Sequence, residues 1–239
     1  MGLKQCYAYH LTERYKGRKG WPESFASPAL FTERLEPALK WADLTGKERP
    51  SKPWLNGYPR LIFVNDLGDT FTESLPIDWL APLLPVMAES PHIWLLLTKR
   101  GTRMLRFFNE HPVPPNFWLG VSVTTQPTMR RVDFLRQIRG AGGLFISMEP
   151  LLGPVDVRGD LGAGGEIEDC AVRSRIGQII LGGESGPMAR TMNMDWARAV
   201  RDQCRAAKTP FFFKQAGARI GHGGDLLDGR AHKEMPVWK

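Results

Sequence analysis

The sequence predicts an α/β fold in which parallel strands alternate with helices to form a partial (βα) barrel that is TIM-barrel-like. Six short apolar runs recur along the chain, helix-length segments separate them, and most of the runs end in polar or charged residues. Continuous apolar strands with helix-length connections are typical of a parallel sheet covered by helices. We expect the strands at residues 61–65, 93–98, 117–123, 144–148, 178–182 and 210–214.

The segment before the first strand has a different character. A short helix is predicted over residues 6–16, and Gly17 ends it. Residues 17–60 are expected to form a long irregular region that contains prolines and only one or two helical turns around 31–41. Irregular regions of this length are usually functional or poorly ordered. We expect this region to lie over one end of the sheet.

Helices are predicted after nearly every strand. They are expected near residues 76–89, 101–110 and 126–139, and a further helix begins after Asn193, which is a suitable N-cap. A loop insertion rich in glycine and charge occupies residues 159–175, and no periodic pattern is present from 217 to 229. A flat doubly wound sheet fits the same spacing, but the regular βα alternation favours the barrel. With 239 residues, the chain is expected to form a single domain over 1–239.

Composition excludes some classes of protein and leaves others open. Apolar residues make up 42% of the chain and charged residues 24%, as in an ordinary globular protein. No apolar stretch approaches the roughly 20 residues that cross a bilayer, so we predict a cytoplasmic protein without a membrane partner. Residues 1–60 hold 11 Lys and Arg against 6 Asp and Glu, which is +5 of the net charge of +7. A nucleic acid bound through this basic region is one interpretation, and a solvated basic surface is the other.

Cysteine and histidine residues show no metal-ligand pattern of their own. Cys6, Cys170 and Cys204 are too far apart for a short chelating motif, and an odd number of cysteines is no disulfide framework. The five histidines have no ligand spacing, which disfavours a zinc enzyme. Cys204 lies four residues after Val200 on the apolar side of the last helix, and we predict that it is a buried thiol.

The polar ends of the strands form the candidate site, because barrels of this kind build their sites at the carboxyl ends of the strands. Lys99 and Lys214 can pair with Glu149 and Glu184 to stabilise this end of the barrel. Alternatively, a lysine kept neutral by burial can act as a base or form a Schiff base. The candidate catalytic residues are Lys99, Glu149 and Lys214, and the candidate substrate-binding residues are Asn65, Asp66, Asp69, Ser122 and Gln215.

Two short motifs after strands have competing interpretations. Glycines directly after the fifth strand can bring backbone N–H groups close to an anion, and the following glutamate can bind an amine. The alternative is a tight turn that requires positive φ. The candidate cofactor-binding residues are accordingly Gly182, Gly183, Glu184 and Ser185. The two carboxylates of Asp66 and Asp69 suit a hard metal or acid–base catalysis, and a turn capped by aspartate explains them equally well.

The order of several motifs resembles an uncharacterised family of phage and bacterial proteins, the three-Cys-motif phage proteins, which form a domain of unknown function. The resemblance extends over nearly the whole chain. It is carried by Gly2-Leu-Lys-Gln-Cys-Tyr-Ala8, Asn65-Asp-Leu-Gly-Asp-Thr-Phe71, Leu97-Thr-Lys-Arg100, Gly120-Val-Ser-Val123, Glu149-Pro-Leu-Leu-Gly-Pro154, Gly182-Gly-Glu-Ser-Gly186, Arg201-Asp-Gln-Cys204 and Phe211-Phe-Phe-Lys-Gln215.

The cysteine-rich loop of that family resembles the loop of radical S-adenosylmethionine enzymes, in which three thiolates hold three irons of a [4Fe–4S] cluster. The resemblance therefore implies a [4Fe–4S] cluster and S-adenosylmethionine as cofactors. It also implies that Cys6 is the last cluster ligand and that Gly183 with Glu184 helps to hold a cofactor. A partial (βα) barrel is the fold that it implies.

This chain departs from the family pattern at the cluster loop. Leu3 stands where the middle cysteine is expected, and the first cysteine, with the strand before it, would lie upstream of Met1. One thiolate cannot hold a cluster. The expectation is a start codon assigned too late, a member that has lost the cluster, or a truncated gene. A missing strand would leave the barrel open along one edge.

Three functional hypotheses remain open at this stage. The first is a radical-SAM-like phage-type protein whose cysteine loop is incomplete and whose site lies at the strand ends. The second is a cluster-free barrel lyase that uses Lys99 or Lys214 with Glu149 and Glu184. The third is a non-catalytic protein that binds nucleic acid or another protein through residues 1–60.

Overall fold

Six parallel strands form one sheet that curls into a half-barrel flanked by helices, which confirms the predicted fold class. The structure is a computed structural model, and it describes residues 6–65, 67–161, 175–219, 221 and 223–236. The strand order follows the chain, and every neighbouring pair is parallel. The strands are β1 (Leu61–Phe63), β2 (Ile93–Thr98), β3 (Phe117–Ser122), β4 (Gly143–Met148), β5 (Gln178–Gly182) and β6 (Phe211–Gln215).

Six α-helices lie in the described ranges, four of them after β1 and so within the alternating part of the fold. They are α1 (Tyr7–Tyr15), α2 (Leu35–Leu39), α3 (Leu84–Ala88), α4 (Gly101–Glu110), α5 (Arg130–Leu135) and α6 (Met194–Ala206). The predicted N-cap is confirmed, since the Asn193 side chain accepts a hydrogen bond from the Asp195 N–H at 2.9 Å. None of the helices in these ranges combines the length and apolar character needed to cross a bilayer.

Two predicted helical segments begin as 3₁₀ turns, so their α-helices are shorter than expected. The segment predicted near 76–89 consists of a 3₁₀ turn over Ile77–Leu83, which contains Pro82, followed by the short helix α3. The segment predicted near 126–139 likewise begins as a 3₁₀ turn over Gln126–Met129, which contains Pro127, and α5 then ends at Leu135. Pro82 lies inside its turn, where a proline has no N–H to donate and a fixed φ, so it interrupts the α-helical pattern there.

Alternation along each strand divides the sheet into two faces. One set of side chains, such as Leu119, Ile146 and Phe213, is completely buried in the main core with residues of α4, α5 and α6. The other set faces away from the helices, and we call this side the inner face of the half-barrel. It carries a smaller buried cluster, made by Ile93, Leu95, Trp118 and Phe145.

Two glycines on the inner face make room for aromatic rings. A Cβ atom on Gly120 would lie only 2.3 Å from the ring of Phe145, and one on Gly143 would lie 3.1 Å from the ring of Trp118. Neither glycine has a positive φ. These positions therefore need glycine because of the space that the neighbouring ring occupies.

The two edges of the sheet are treated differently. At β6, residues 232–234 run antiparallel to the strand, and the Phe213 N–H donates to the His232 carbonyl at 2.8 Å. At β1, no strand within the described ranges pairs with the outer edge. The irregular region before β1 faces this edge across a cleft, which is described below.

A short hairpin begins within residues 217–229, where the sequence shows no periodic pattern. Strands β7 (Leu226–Leu227) and β8 (Arg230–Ala231) are joined by Asp228 and Gly229, whose φ values are 55° and 72°. Two consecutive residues with positive φ are typical of a type I′ turn, for which Asp-Gly is a preferred pair. The Asp228 carboxylate accepts hydrogen bonds from Arg198 and Arg201 of α6, at 2.8 and 2.6 Å, and so fastens the hairpin to that helix.

Replacement of Gly120 by alanine tests the packing of the inner face. The added methyl group would overlap the Phe145 ring, so we expect Gly120→Ala to lower the free energy of unfolding by about 1–3 kcal/mol. Urea unfolding followed by circular dichroism measures the change. Gly159→Ala is the matched control, because nothing lies within 4 Å of its added Cβ. Equal stability of Gly120→Ala and wild type would contradict this account of the inner face.

A buried histidine at the start of β2 makes stability depend on pH. His92 is 0% exposed and lies edge-to-face against Trp94. Burial, and then the charge of Arg60, lower the pKa of His92 below its ordinary value of 6.5. The unfolded chain therefore binds a proton more readily than the native protein does, and stability is lost as pH falls below about 6.5.

We expect wild type to be less stable at pH 5.5 than at pH 7.5 in urea unfolding. His92→Phe, which keeps an aromatic ring against Trp94, should lose less stability than wild type over the same interval. His111→Asn is the control for loss of a partly exposed histidine. If His92→Phe and wild type have the same pH dependence, the buried histidine does not cause it.

Candidate functional site at the strand ends

Four polar side chains lie together at the carboxyl end of the inner face. The Lys214 Nζ atom is 2.8 Å from Glu149 Oε2, and the Ser147 hydroxyl donates to Glu149 Oε1 at 3.2 Å. Ser122 is paired with Ser147 in the register of β3 and β4. We call Ser122, Ser147, Glu149 and Lys214 the mouth. It joins three strands that are separate in the sequence.

The strand periodicity explains why these side chains meet. Ser122 lies two residues after Gly120, and Ser147 lies two residues after Phe145, so both continue the inner face. Glu149 follows Ser147 by the same step. The register between β5 and β6 shifts after Leu181, which brings Gly182 opposite Gln215. Gly182 adjoins the mouth, because a Cβ atom there would lie 3.5 Å from Glu149 Oε2.

The mouth is partly open to solvent and has an apolar floor. The side chains of Lys214 and Glu149 are 56% and 21% exposed. Ser122 is 6% exposed, and its hydroxyl forms no hydrogen bond with the residues that the structure describes. Below the mouth on the inner face, Phe63 is 45% exposed. The other partly exposed apolar side chains on the strands of this face are Leu61, Leu97, Ile180 and Phe212.

Neither predicted catalytic lysine lies in a site that excludes water. Lys99 is exposed, and Lys214 is exposed over more than half of its side chain and paired with Glu149. Schiff-base lysines are activated by desolvation in an apolar pocket or by a neighbouring cation. The surroundings of Lys99 and Lys214 therefore give no support to the lyase hypothesis, although the two lysines remain predictions as catalytic residues.

Asp69 is held by four hydrogen-bond donors. Its Oδ1 atom accepts from the Thr98 hydroxyl at 2.6 Å and from the Phe71 N–H at 3.0 Å. Its Oδ2 atom accepts from the Lys99 N–H at 3.0 Å and from Arg100 Nη1 at 2.9 Å. Both oxygens are thus used to fasten the loop after β1 to the end of β2. This geometry favours the turn interpretation over a metal or acid–base role.

The residues around Asp69 form further hydrogen bonds in the loop after β1. Arg100 also donates to Glu73, at 2.5 Å, and this bond lowers the pKa of the Glu73 carboxyl. Burial lowers the pKa of Arg100, but Glu73 and Asp69 raise it by more. Asn65 donates to the Thr70 hydroxyl at 3.0 Å. Asp66, the other carboxylate of the predicted pair, lies outside the described residues.

The glycine-rich segment after β5 is packed against backbone. A Cβ atom on Gly183 would lie 2.0 Å from the Ala216 carbonyl oxygen, and one on Gly217 would lie 2.4 Å from the Glu184 carbonyl oxygen. Gln215 also holds these two segments together, because its Nε2 donates to the Gly183 carbonyl at 3.0 Å. The glycines therefore allow two chain segments to touch, and this packing accounts for them without a ligand.

The Glu184 carboxylate forms an ion pair with Arg190. Arg190 donates to it from the backbone N–H, Nε and Nη2, at 3.0, 2.9 and 3.0 Å. Burial raises the pKa of Glu184, but the hydrogen bonds and charge of Arg190 lower it by more, so that the net shift is downward. The Glu184 side chain is only 6% exposed. An amine of a ligand would have to displace Arg190 from this carboxylate.

Cys204 is not suited to be a ligand of an iron–sulfur cluster. Cys204 is 0% exposed in the core side of α6, as predicted, and burial raises the pKa of its thiol to about 12. A cluster ligand must be a thiolate, which this environment disfavours. Cys6 is partly exposed just before α1, whereas Cys170 and Leu3 lie outside the described residues.

A cleft of about 680 Å³ lies between the N-terminal region and the β1 edge of the sheet. It brings together four of the predicted site residues, Cys6, Asn65, Asp69 and Lys99, whereas the mouth holds Ser122, Glu149 and Lys214. Seven of the predicted site residues thus fall into two groups, whereas Gly183, Glu184 and Gln215 take part in the packing of the segment after β5. Eight aromatic side chains also line the cleft, namely Tyr7, Trp21, Phe25, Phe31, Trp41, Phe63, Trp79 and Trp94.

Sequence reasoning missed three residues that organise these groups. Ser147 had a usable signal, because it lies two residues before Glu149 and must share its face of the strand. Arg100 and Arg190 had none, since their partners Asp69 and Glu184 are fixed by the fold of two loops.

One group of three potential metal ligands lies within the described ranges, namely Asp78, Glu110 and His111, whose ligand atoms are all close to one another. Two of the three are exposed, and the contact of His111 with Asp78 at 3.2 Å accounts for their proximity.

Comparison with known proteins adds one finding. The model of a family described as "Protein of unknown function (DUF5131)" matches residues 1–236. No curated protein and no solved structure matches the chain. The predicted membership of an uncharacterised family is thereby confirmed. The phage origin, the three-Cys motif and the relation to radical S-adenosylmethionine enzymes stay predictions.

The two described cysteines should differ sharply in reactivity. In a Cys170→Ser background, we expect iodoacetamide at pH 8 to modify Cys6 within minutes and Cys204 only after unfolding, because Cys204 is buried and its pKa is raised to about 12. Peptide mass spectrometry measures both sites, with a sample in 6 M guanidinium chloride as the control. Rapid labelling of native Cys204 would show that α6 does not pack as described.

Proposed function

This chain belongs to the DUF5131 family, whose function is unknown, and from this premise we propose a function that rests on its own site. We propose that it is a radical-SAM-like half-barrel protein that binds a small zwitterionic ligand at the mouth and does so without an iron–sulfur cluster. S-adenosylmethionine, which carries an α-amino acid group, is the ligand that the family resemblance implies.

One observation carries this proposal. Glu149 and Lys214 place opposite charges 2.8 Å apart at the end of the inner face, within reach of solvent. An α-amino acid group carries the complementary pair of charges. Its ammonium group can donate to Glu149, and its carboxylate can accept from Lys214 and from the hydroxyl of Ser122. The mouth therefore matches both ends of a zwitterion with charge-assisted hydrogen bonds.

Opening the ion pair to admit a ligand costs little. An ion pair with partly exposed side chains contributes about 0–1 kcal/mol to stability, because water screens the attraction and the side chains lose freedom. Two charge-assisted hydrogen bonds to a ligand replace one such pair. The Ser147 hydroxyl, which donates to Glu149 at 3.2 Å, keeps the carboxylate in place when Lys214 turns to the ligand.

The floor below the mouth suits the rest of such a ligand. Phe63 exposes 45% of its surface on the inner face, and Leu97, Ile180 and Phe212 are partly exposed on other strands of the same face. Ligand sites are typically apolar surfaces with a few polar groups that fix orientation. A molecule with a zwitterionic head and a flat aromatic ring system, such as adenine, fits this arrangement.

The donor sets elsewhere argue for the cluster-free form. Leu3 stands at the position of the middle cluster ligand, and Cys204 is buried in the core, so neither residue supplies a thiolate to a cluster. Gly183 and Glu184 are engaged by Ala216 and Arg190, so we assign them to packing of the loop after β5. The proposal accordingly keeps the barrel of the radical-SAM-like hypothesis and moves ligand binding to the mouth.

Binding of radiolabelled S-adenosylmethionine in equilibrium dialysis tests the proposal. We expect saturable binding to one site per chain, and we expect Lys214→Gln and Glu149→Gln each to weaken it by about tenfold or more, because each removes a hydrogen bond to a charged group. Prior treatment with an iron chelator should leave binding unchanged. Thermal unfolding verifies that each variant is folded.

Lys208→Gln is the matched control, because it removes an exposed lysine that lies outside the mouth. It should bind like wild type. No saturable binding to the wild type, or equal binding by wild type and both mouth variants, would overturn the assignment of the mouth. Binding that is lost on chelation would overturn the cluster-free form while leaving the ligand class intact.

A further inference from the structure

We infer a second binding surface, for single-stranded nucleic acid, on the turn that follows α1. We call residues 14–21, Arg-Tyr-Lys-Gly-Arg-Lys-Gly-Trp, the basic turn. Four of these eight residues are lysine or arginine, two are aromatic and none is acidic. The basic turn therefore concentrates four of the 11 lysine and arginine residues of residues 1–60 in one short segment. The surface uses no residue of the mouth, so it is independent of the proposed function.

Two glycines shape the basic turn. Gly17 and Gly20 have φ values of 76° and 79°, in the left-handed region that favours glycine. The Arg18 N–H donates to the Tyr15 carbonyl at 3.1 Å, and the Trp21 N–H donates to the Arg18 carbonyl at 3.0 Å. Two successive turns therefore fold the chain back on itself. They bring the rings of Tyr15 and Trp21 to 4.8 Å between centroids, with 34° between their planes.

The cations of the basic turn are available to a partner. Arg14, Arg18 and Lys19 are exposed, and none of them forms an ion pair within the described ranges. The guanidinium carbons of Arg14 and Arg18 lie 5.5 and 5.2 Å from the centre of the Tyr15 ring. These contacts hold the positive charges beside an aromatic surface. Only Lys16 is neutralised, by Glu13 at 2.8 Å.

Cations beside stacked aromatic rings are the combination that binds single-stranded nucleic acid. Phosphates contact the lysine and arginine side chains, and unpaired bases stack on the rings. A duplex cannot offer its bases in this way, because they are paired and stacked already. The basic turn therefore favours a single strand over a duplex, and stacking alone carries little preference for base sequence.

The cleft gives an unpaired base a place to enter. Gly20 and Trp21 line the cleft together with Phe25 and Phe31, while Arg14, Arg18 and Lys19 do not. A strand with its phosphates on the basic turn can thus place a base beside Trp21 inside an aromatic wall. Arg34 donates to the Gly20 carbonyl and lies 4.7 Å from the centre of the Phe31 ring, so it fixes this border of the cleft.

Fluorescence anisotropy with a fluorescein-labelled oligo(dT) of about twelve nucleotides tests the inference. We expect the single strand to bind more tightly than the same strand in a duplex with oligo(dA), and the affinity to fall steeply with salt. Arg14→Gln/Arg18→Gln should lower the affinity by about tenfold or more and make the plot of log K against log salt shallower by about 1.4, since two phosphate contacts are lost.

Replacement of Trp21 separates stacking from charge. Trp21→Leu should weaken binding by about fivefold or more without changing the salt slope, and Trp21→Phe should restore most of the affinity. Circular dichroism verifies the fold of each variant. If Trp21→Leu binds like wild type while it remains folded, base stacking is not involved and the inference fails.

Arg205→Gln/Lys208→Gln is the matched control. It removes the same charge from two exposed residues of a different cavity, at the end of α6. It should bind the single strand like wild type. An equal loss in both double variants would mean attraction to net charge alone and would overturn the assignment. The assignment also fails if vesicles with anionic phosphatidylserine bind more strongly than the oligonucleotide and show the same dependence on Arg14 and Arg18.

Discussion

The rest of the structure depends on burial of the outer face of the sheet under the helices. Leu119, Ile146 and Phe213 are completely buried there, and the apolar faces of α4, α5 and α6 cover them. Apolar burial contributes roughly 25 cal/mol for each Å² removed from water, so this face determines which way each strand is turned. Because successive side chains of a strand point to opposite faces, the remaining side chains must lie on the inner face. Ser122, Ser147 and Glu149 must point to the inner face because their neighbours belong to the core.

This dependence explains what could be predicted from the sequence. The apolar runs predicted all six strands, and the polar residues after them predicted where the mouth would lie. Ser147 was missed although the period of two from Glu149 indicates it. The hairpin was missed although Asp228-Gly229 is a turn signal, because strands of two residues on either side carry no periodicity. Arg190 could not have been found, since its contact with Glu184 depends on how a whole loop folds back.

The polar groups at the strand ends also show why a motif alone does not define a site. Asp69, with four donors, and Glu184, with three contacts from Arg190, both have their oxygens bound within the protein. A carboxylate in this condition stabilises a loop. Glu149 differs, because its partner Lys214 is more than half exposed and can turn towards a ligand. The difference lies in tertiary contacts, so a sequence pattern cannot reveal it.

The inner face and the cleft share one side chain. Phe63 belongs to the inner face, through its register with Leu95 and its edge-to-face contact with Phe145, and it also lines the cleft. It is able to do both because β1 is the edge strand and no described strand covers its outer side. The 45% exposure of Phe63 is therefore a consequence of the open edge. The open edge of the half-barrel is thus what lets one ring belong both to the inner face and to the wall of the cleft.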